Sequence, residues 1–307
     1  MIEVIPLKYG VAFKKAFGKK EIFTSFVKDV IGVKIKIDEV HQEYEYKERI
    51  GKVAIKYDLF AEDKDNRIII EVQQLKEGDF FDRFMYYHII SMAEQVSNYI
   101  DYRFTRNVYT IVVLTSVPRD KSIKFSMGIA DMDVKDEEGK KQDIYKHKLI
   151  FLEPRLVNKK TPEPVKKWLE LIKDSLDGTL DEEWSKIKEF KKIVEEIKVD
   201  KISPEELARI KDEAAWEKVK KSEFEKGKEE GIQEGIQKGI QEGIQKGIQK
   251  GQLKGIKLGL KLKFGKKGLK LMQEIEQLQS IEKLDKVEEL LEEAKTLDEF
   301  KKGIKQI

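Results

Sequence analysis

The sequence predicts a mixed fold of the α+β or α/β class, followed by a long helical C-terminal region. Three observations lead there. Residues 1–157 are dense in apolar residues whose period switches between that of helices and that of strands. Residues 158–226 are highly charged, with helical spacing and helix-start signals. From Gly227 to Gly259 a glycine recurs every four residues.

The first elements are two helices. In "YGVAFKKAFG" and "EIFTSFVKDVIG", apolar residues recur at spacings of three and four: Phe13 and Phe17, then Phe23, Phe26, Val27 and Val30. Gly18 and Gly32 stand where C-terminal caps are expected. "DEVHQEYEYKE" alternates as a strand, with Val40, Gln42, Tyr44 and Tyr46 on one face. Arg49-Ile50-Gly51 reads as a turn. Residues 52–62 and 67–74 then form a hairpin. A long amphipathic helix is expected over 79–104, carrying Phe80, Phe84, Tyr87, Ile90 and Ala93. "VYTIVVLTS" is almost entirely apolar, as a strand covered on both faces must be. "KFSMGIADMDV" and "HKLIFLEPRL" supply further strands. The order is helix, three strands, helix, strand, extra strands.

Four segments follow from these patterns: a folded domain over 1–157, a charged helical region over 158–226, a glycine-repeat arm over 227–268 and an amphipathic helical segment over 269–307. In the second, Val165, Trp168, Leu169 and Ile172 make one helix face. Ser203, Pro204 and Glu206 form a capping signal for another helix. The repeat holds nine glycines from Gly227 to Gly259. Each costs about 1 kcal/mol inside a helix relative to alanine. Four residues turn a helix by about 400°, so the glycine stripe drifts round the axis. A semi-helical spacer is one reading. Close helix packing in a homo-oligomer is the other, with Ile232, Ile236, Ile240, Ile244 and Ile248 as the apolar supplement. The arm is basic, with eleven lysines and four glutamates over 227–270.

Composition removes several functions. The chain has no cysteine, so disulfides and thiolate metal sites are excluded. Its three histidines have no zinc-ligand spacing. No apolar run approaches the ~18 residues of a membrane span, and no signal peptide is visible, so a cytoplasmic protein is expected. The net charge is +3, so any case for nucleic acid must be local.

The hairpin supplies the local case. A four-residue turn at 63–66 sets Glu62 opposite Arg67, Phe60 opposite Ile69, Asp58 opposite Glu71 and Lys56 opposite Gln73. Tyr57, Leu59, Ile68, Ile70 and Val72 form the expected apolar face. Opposed residues have Cβ atoms roughly 4.5–5.5 Å apart, and like charges there are destabilising. Two such carboxylates share a proton or share a cation. A hard divalent ion with oxygen ligands, Mg²⁺ first, removes the repulsion. The alternative is a wet sheet face on which both acids splay towards lysines.

An Asp followed about a dozen residues later by Glu-x-Gln, inside this element order, resembles the PD-(D/E)XK nuclease superfamily. "KYGVAFKKAFG", "GKVAIKYDLFAEDKDNRIIIEVQQ" and "DRFMYYHIISMAEQ" look like its nuclease family transposases, also called recombination-promoting nucleases. The likeness spans about residues 1–155, with the glycine repeat as further support. It implies a restriction-endonuclease-like core, DNA as partner, and Mg²⁺ or Mn²⁺ as cofactor. Asp58 and Glu71 match the metal-binding acids, and Gln73 stands where the superfamily has lysine. An amide carries no positive charge, but it can orient a water or hold a phosphate oxygen. Lys56 is the expected source of the missing cation. Arg83, Tyr87 and Lys14 are the candidate substrate-binding residues; the other reading of Tyr87 is a core ring with a polar tip, and that of Lys14 an exposed helix lysine. Related sequences often carry Asp at the position of Gly10; Glu21 is the substitute considered. The function so implied is metal-dependent DNA endonuclease in recombination or mobile-element biology. The alternative is a catalytically weakened module of the same fold that binds DNA or self-associates.

Overall fold

A computed structural model of the chain describes residues 1–46, 53–74, 80–96, 101–115, 123–278 and 280–307. The turn expected at Arg49-Ile50-Gly51 lies outside them. The described chain forms two compact units, residues 1–218 and 219–307.

The first unit runs β1 (Ile2–Glu3), α1 (Gly10–Phe17), α2 (Lys20–Ile31), β2 (His41–Glu45), β3 (Lys56–Glu62), β4 (Asn66–Gln73), α3 (Phe80–Ala93), β5 (Asn107–Leu114), β6 (Met127–Asp131) and β7 (Lys148–Leu152). It continues with α4 (Glu163–Asp174), β8 (Thr179–Leu180), α5 (Glu183–Lys186) and α6 (Lys188–Ile197), and it includes the start of α7 (Pro204–Leu269). Six strands form one mixed sheet in the order β2-β3-β4-β5-β7-β6. The β2–β3–β4 meander is antiparallel, β4–β5–β7 is parallel, and β6 is an antiparallel edge. A parallel step needs a crossover, and α3 provides it between β4 and β5.

Helices cover both faces of the sheet. Phe13, Phe17, Phe23, Phe26 and Val27 of α1 and α2 bury against Leu59, Ala61, Ile68, Ile70 and Ile111. Trp168 of α4 and Phe190 of α6 belong to that same core. Phe13 stacks on Phe17 with centroids 4.2 Å apart, and Trp168 meets Phe26 at 5.2 Å and Phe190 at 4.9 Å. The Trp168 indole N–H finds Asp29 Oδ2 at 2.8 Å, so its one polar atom is satisfied. On the other face, Phe84 and Ile90 of α3 pack on Tyr57, Ile69, Val108, Val112 and Phe151. Between the two layers, β5 is buried along most of its length, which explains its continuous apolar sequence.

Two sequence expectations change here. The helix expected over 79–104 ends at Ala93. Past its end, Gln95 Oε1 accepts from Arg106 N at 2.7 Å and ties the chain to the start of β5. The cap glycines also differ from each other. Gly32 adopts the left-handed cap conformation, φ 75°. Gly18 is right-handed, φ −71°, and is small for a different reason. A Cβ there would lie 2.5 Å from the Lys14 carbonyl and 2.6 Å from the Gln42 amide.

Helix α7 begins with the expected capping box, Glu206 N donating to Ser203 Oγ at 3.2 Å and Ser203 N to Glu206 Oε2 at 2.8 Å. The repeat continues it as helix rather than as a partly helical spacer, the one non-helical residue inside being Gly265. Three of every four repeat residues are Ile, Gln, Glu, Lys or Leu, each within about 0.7 kcal/mol of alanine in helix propensity. A Cβ at any repeat glycine from Gly227 to Gly251 would meet nothing within 4 Å.

In the second unit, α8 (Met272–Ile275), α9 (Ile281–Glu293) and α10 (Leu297–Ile304) pack with the end of α7. Ile256, Leu260, Leu284, Val287, Leu291 and Phe300 are the heart of this small core. Gly303 permits its closest approach, since a Cβ there would lie 2.5 Å from Leu290. Thr296 and Glu299 form a reciprocal capping box that starts α10.

Candidate active site

The β3–β4 register is Glu62 to Arg67, Ala61 to Ile68, Phe60 to Ile69 and Leu59 to Ile70. Continued by one step, it brings Asp58 beside Glu71. At that step the strands stop exchanging backbone hydrogen bonds and the side chains take over. Asp58 N donates to Glu71 Oε1 at 3.2 Å, and Val72 N donates to Asp58 Oδ2 at 3.0 Å. The two carboxylates thus wedge into a fork between the strands. Each spends one oxygen on the facing backbone; its other oxygen takes no backbone hydrogen bond among the described residues.

The wedge breaks the alternation of β3. Tyr57 was expected on the face of Leu59, Ile68, Ile70 and Val72. It instead joins Phe60 and Ile69 on the α3 side, while Leu59, Ile68 and Ile70 belong to the α1–α2 core. Its hydroxyl donates to the Tyr87 carbonyl at 3.2 Å. Strand β2 is distorted at the same level, because Glu43 has φ 55°. Gln42 therefore faces α1, donating to the Lys14 carbonyl at 3.2 Å, whereas Tyr44 stacks on Phe60 at 4.0 Å. The expectation that Gln42 and Tyr44 share a face fails for this reason. A non-glycine residue with positive φ costs of order 1–3 kcal/mol, and such strain clusters at functional sites.

Glu43 is a residue the sequence pattern did not single out. Its carboxylate binds Lys14 Nζ at 2.9 Å and Lys56 Nζ at 2.7 Å. Those two lysines pull its pKa down to about 2. Lys56 therefore rests on Glu43, is half exposed, and has its own pKa raised by that carboxylate. Lys14 is the lysine that reaches the acid pair, 3.8 Å from Asp58 Oδ1, and it is largely shielded from solvent.

The acid pair is held in a costly state. Burial, then the neighbouring Asp58 charge, push Glu71 well above the usual carboxylate range. Burial also raises Asp58, against the pull of the Val72 N–H, Lys14 and Arg83. A buried carboxylate beside a largely shielded one favours either a retained proton or a bound cation. Arg83 Nε donates to the Tyr87 hydroxyl at 3.2 Å, and the guanidinium lies 5.3 Å from the Tyr87 ring centre. Tyr87 itself packs edge-on to Tyr57 and Phe84, so it is a core ring whose polar tip steadies Arg83. Gln73 ends β4, with its carbonyl accepting from Thr115 N at 2.9 Å. Glu21 is placed elsewhere, paired with Lys192 on an exposed surface.

Among the described residues no group of three or more His, Cys, Asp or Glu side chains is arranged as a metal cage. Two carboxylates, each with one oxygen tethered by a backbone N–H, are still a fit donor set for Mg²⁺. That ion is commonly held by one or two carboxylates together with waters and substrate phosphates. Asp58 and Glu71 are the residues that would hold it.

Comparison with known proteins bears on this arrangement. A family model described as "PD-(D/E)XK nuclease family transposase" matches residues 8–226, which include both acids, all of α3 and the start of α7. No curated protein and no solved structure matches the chain.

Proposed function

Starting from the chain's membership of the PD-(D/E)XK nuclease family transposases, we propose that it is a metal-dependent endonuclease cutting DNA phosphodiester bonds. The observation that carries this reading is the fork, where Asp58 and Glu71 converge in a buried setting that disfavours two bare negative charges. Bound there, a divalent ion would polarise a phosphate oxygen and lower the pKa of a coordinated water. Asp58 and Glu71 would hold that ion. Gln73, at the end of β4, orients the attacking water through its amide or holds a phosphate oxygen. Lys14 and Arg83, whose charges both reach the acid pair, bind and neutralise the scissile phosphate. Tyr87 positions Arg83. Lys56 acts from outside by holding Glu43, and through it Lys14. The setting is recombination or mobile-element biology. No helix among the described residues is long and apolar enough to cross a membrane.

The test is nicking of supercoiled plasmid with Mg²⁺, with Mn²⁺ or with EDTA. Wild type should nick only with metal, and Asp58→Ala and Glu71→Ala should not nick. Binding without nicking would sink the enzyme and leave a DNA-binding module of the same fold.

A second reading concerns the arm. Ile232, Ile236, Ile240, Ile244 and Ile248 are each about half exposed, and a Cβ at any glycine between them, from Gly235 to Gly247, would meet nothing within 4 Å. Self-association through them would bury that row. Replacing the five by serine should shift the mass measured by light scattering if the arm joins copies of the chain.

A further inference from the structure

The start of α7 carries Glu206, Ile210, Glu213 and Glu217 at intervals of four, three and four residues. These intervals put them on one stripe of the helix. Ile210 is buried in the sheet core and anchors the stripe. The three carboxylates each take a donor on or beside α1. Glu206 binds Lys15 at 2.7 Å, and Glu213 Oε2 accepts from Gly10 N at 2.8 Å. Glu217 binds both Lys8 and Gln74 at 2.8 Å. A rise of 1.5 Å per residue spaces them about 10 and 6 Å apart along the axis.

This row lies against the catalytic candidates. Gln74 directly follows Gln73. Glu213 feels the charges of Lys14 and Asp58, and burial raises its pKa. The donors it engages are lysine ammoniums, a side-chain amide and a backbone N–H at a helix start. Those are the groups with which proteins hold a nucleic-acid backbone. A row of carboxylates on them does what a row of phosphates would do.

We propose that residues 204–217 are an acidic strap that imitates a phosphate backbone on α1, and that DNA must displace it to reach Asp58 and Glu71. This rests on the nucleic-acid reading above and adds regulation to it. With the strap seated, Lys8 is neutralised by Glu217 and Lys15 by Glu206. With the strap lifted, Lys8, Lys14, Lys15 and Gln74 form a cationic track leading to the fork.

Two measurements on the full chain, both in EDTA so that no cutting occurs, test this. The first is fluorescence anisotropy of a labelled 20-base-pair duplex with the double variant Glu213→Gln/Glu217→Gln. The control is Glu205→Gln/Asp212→Asn, which removes the same charge from residues that make no pair with α1 among the described residues. Glutamine at 213 keeps an oxygen for the Gly10 N–H, so α1 stays capped. The strap double variant should bind at least tenfold more tightly than wild type, and the control no more than twofold. Equal shifts overturn the strap. The second measurement exploits the lack of cysteine in the chain. Lys8→Cys/Glu217→Cys is linked by a short bismaleimide and compared with the same protein capped by N-ethylmaleimide. The linked form should bind at least tenfold more weakly, and equal binding overturns the proposal. A wild type that nicks DNA while the variants match it sinks the strap alone. No binding by any of these proteins sinks the strap together with the nuclease reading.

Discussion

At the turn end of the β3–β4 hairpin, Glu62 lies opposite Arg67; at the other end, Asp58 comes beside Glu71. The strands and the ladder are the same, and the chemistry is opposite. Arg67 is buried, yet it is satisfied by Glu62 at 2.9 Å, Glu94 at 2.6 Å, the Tyr46 hydroxyl at 3.0 Å and the Ser91 carbonyl at 2.9 Å. Its guanidinium also lies over the Tyr46 and Phe60 rings. Glu71 accepts from the Asp58 N–H and Asp58 from the Val72 N–H, with the charges of Lys14 and Arg83 at the margin. One end closes the hairpin. The other keeps an unresolved charge conflict and opens a fork. Sites built for chemistry often hold such conflicts, whereas purely structural positions resolve them.

Four measurements break or sharpen that contrast. The largest expected effect is on cleavage. Asp58→Asn should lower the rate of plasmid nicking about a thousandfold or more, equivalent to about 4 kcal/mol, with no loss of thermal stability. Next, Arg67→Ala should destabilise the first unit by about 3–5 kcal/mol in urea unfolding, because Glu62 and Glu94 lose a buried partner. A loss below about 1 kcal/mol would mean that the turn end is not a structural anchor.

The third is a test of sign. Glu71 holds its proton more tightly when folded than the ordinary value of 4.5. In the metal-free protein its stability contribution is therefore full below pH 4.5 and is lost as pH rises through the folded value. Glu71→Gln should accordingly raise the melting temperature at about pH 8, by about 2–4 °C per kcal/mol relieved. The gain should vanish as the pH falls below 4.5. Mg²⁺ should stabilise wild type more than this variant. The reverse pH trend would show that the pair is not in conflict. The smallest effect separates the lysines. Lys14→Ala should slow nicking about tenfold, or about 1.4 kcal/mol, and Lys56→Ala by less, because Lys56 acts through Glu43. A larger loss from Lys56→Ala would return it to the role of the missing cation.

The legible and illegible parts of this site divide along the same hairpin. Its register was readable because a four-residue turn and a period of two fix which residues oppose. The same period misplaced Tyr57, since the alternation fails where the Asp58 carboxylate replaces the ladder. Glu43 was hidden because its orientation depends on a positive φ that no local pattern announces. Glu213 was hidden because its partner, Gly10, is 203 residues away in the chain. The stripe of Glu206, Ile210, Glu213 and Glu217 was visible in principle, but nothing in it names α1 as the surface it meets.

By itself, the amino-acid sequence settled the element order, the doubly covered β5, the capping box of α7 and the approach of Asp58 to Glu71. Each of these depends on interactions between residues near in sequence, or on a period that any sheet or helix imposes. Tertiary structure alone decided that Trp168 and Phe190 complete the core of Phe13 and Phe17, that Lys14 reaches Asp58, and that the start of α7 covers α1. Those outcomes depend on which buried face finds which partner. Periodicity marks a face for burial, but the packing of the whole chain selects what it is buried against.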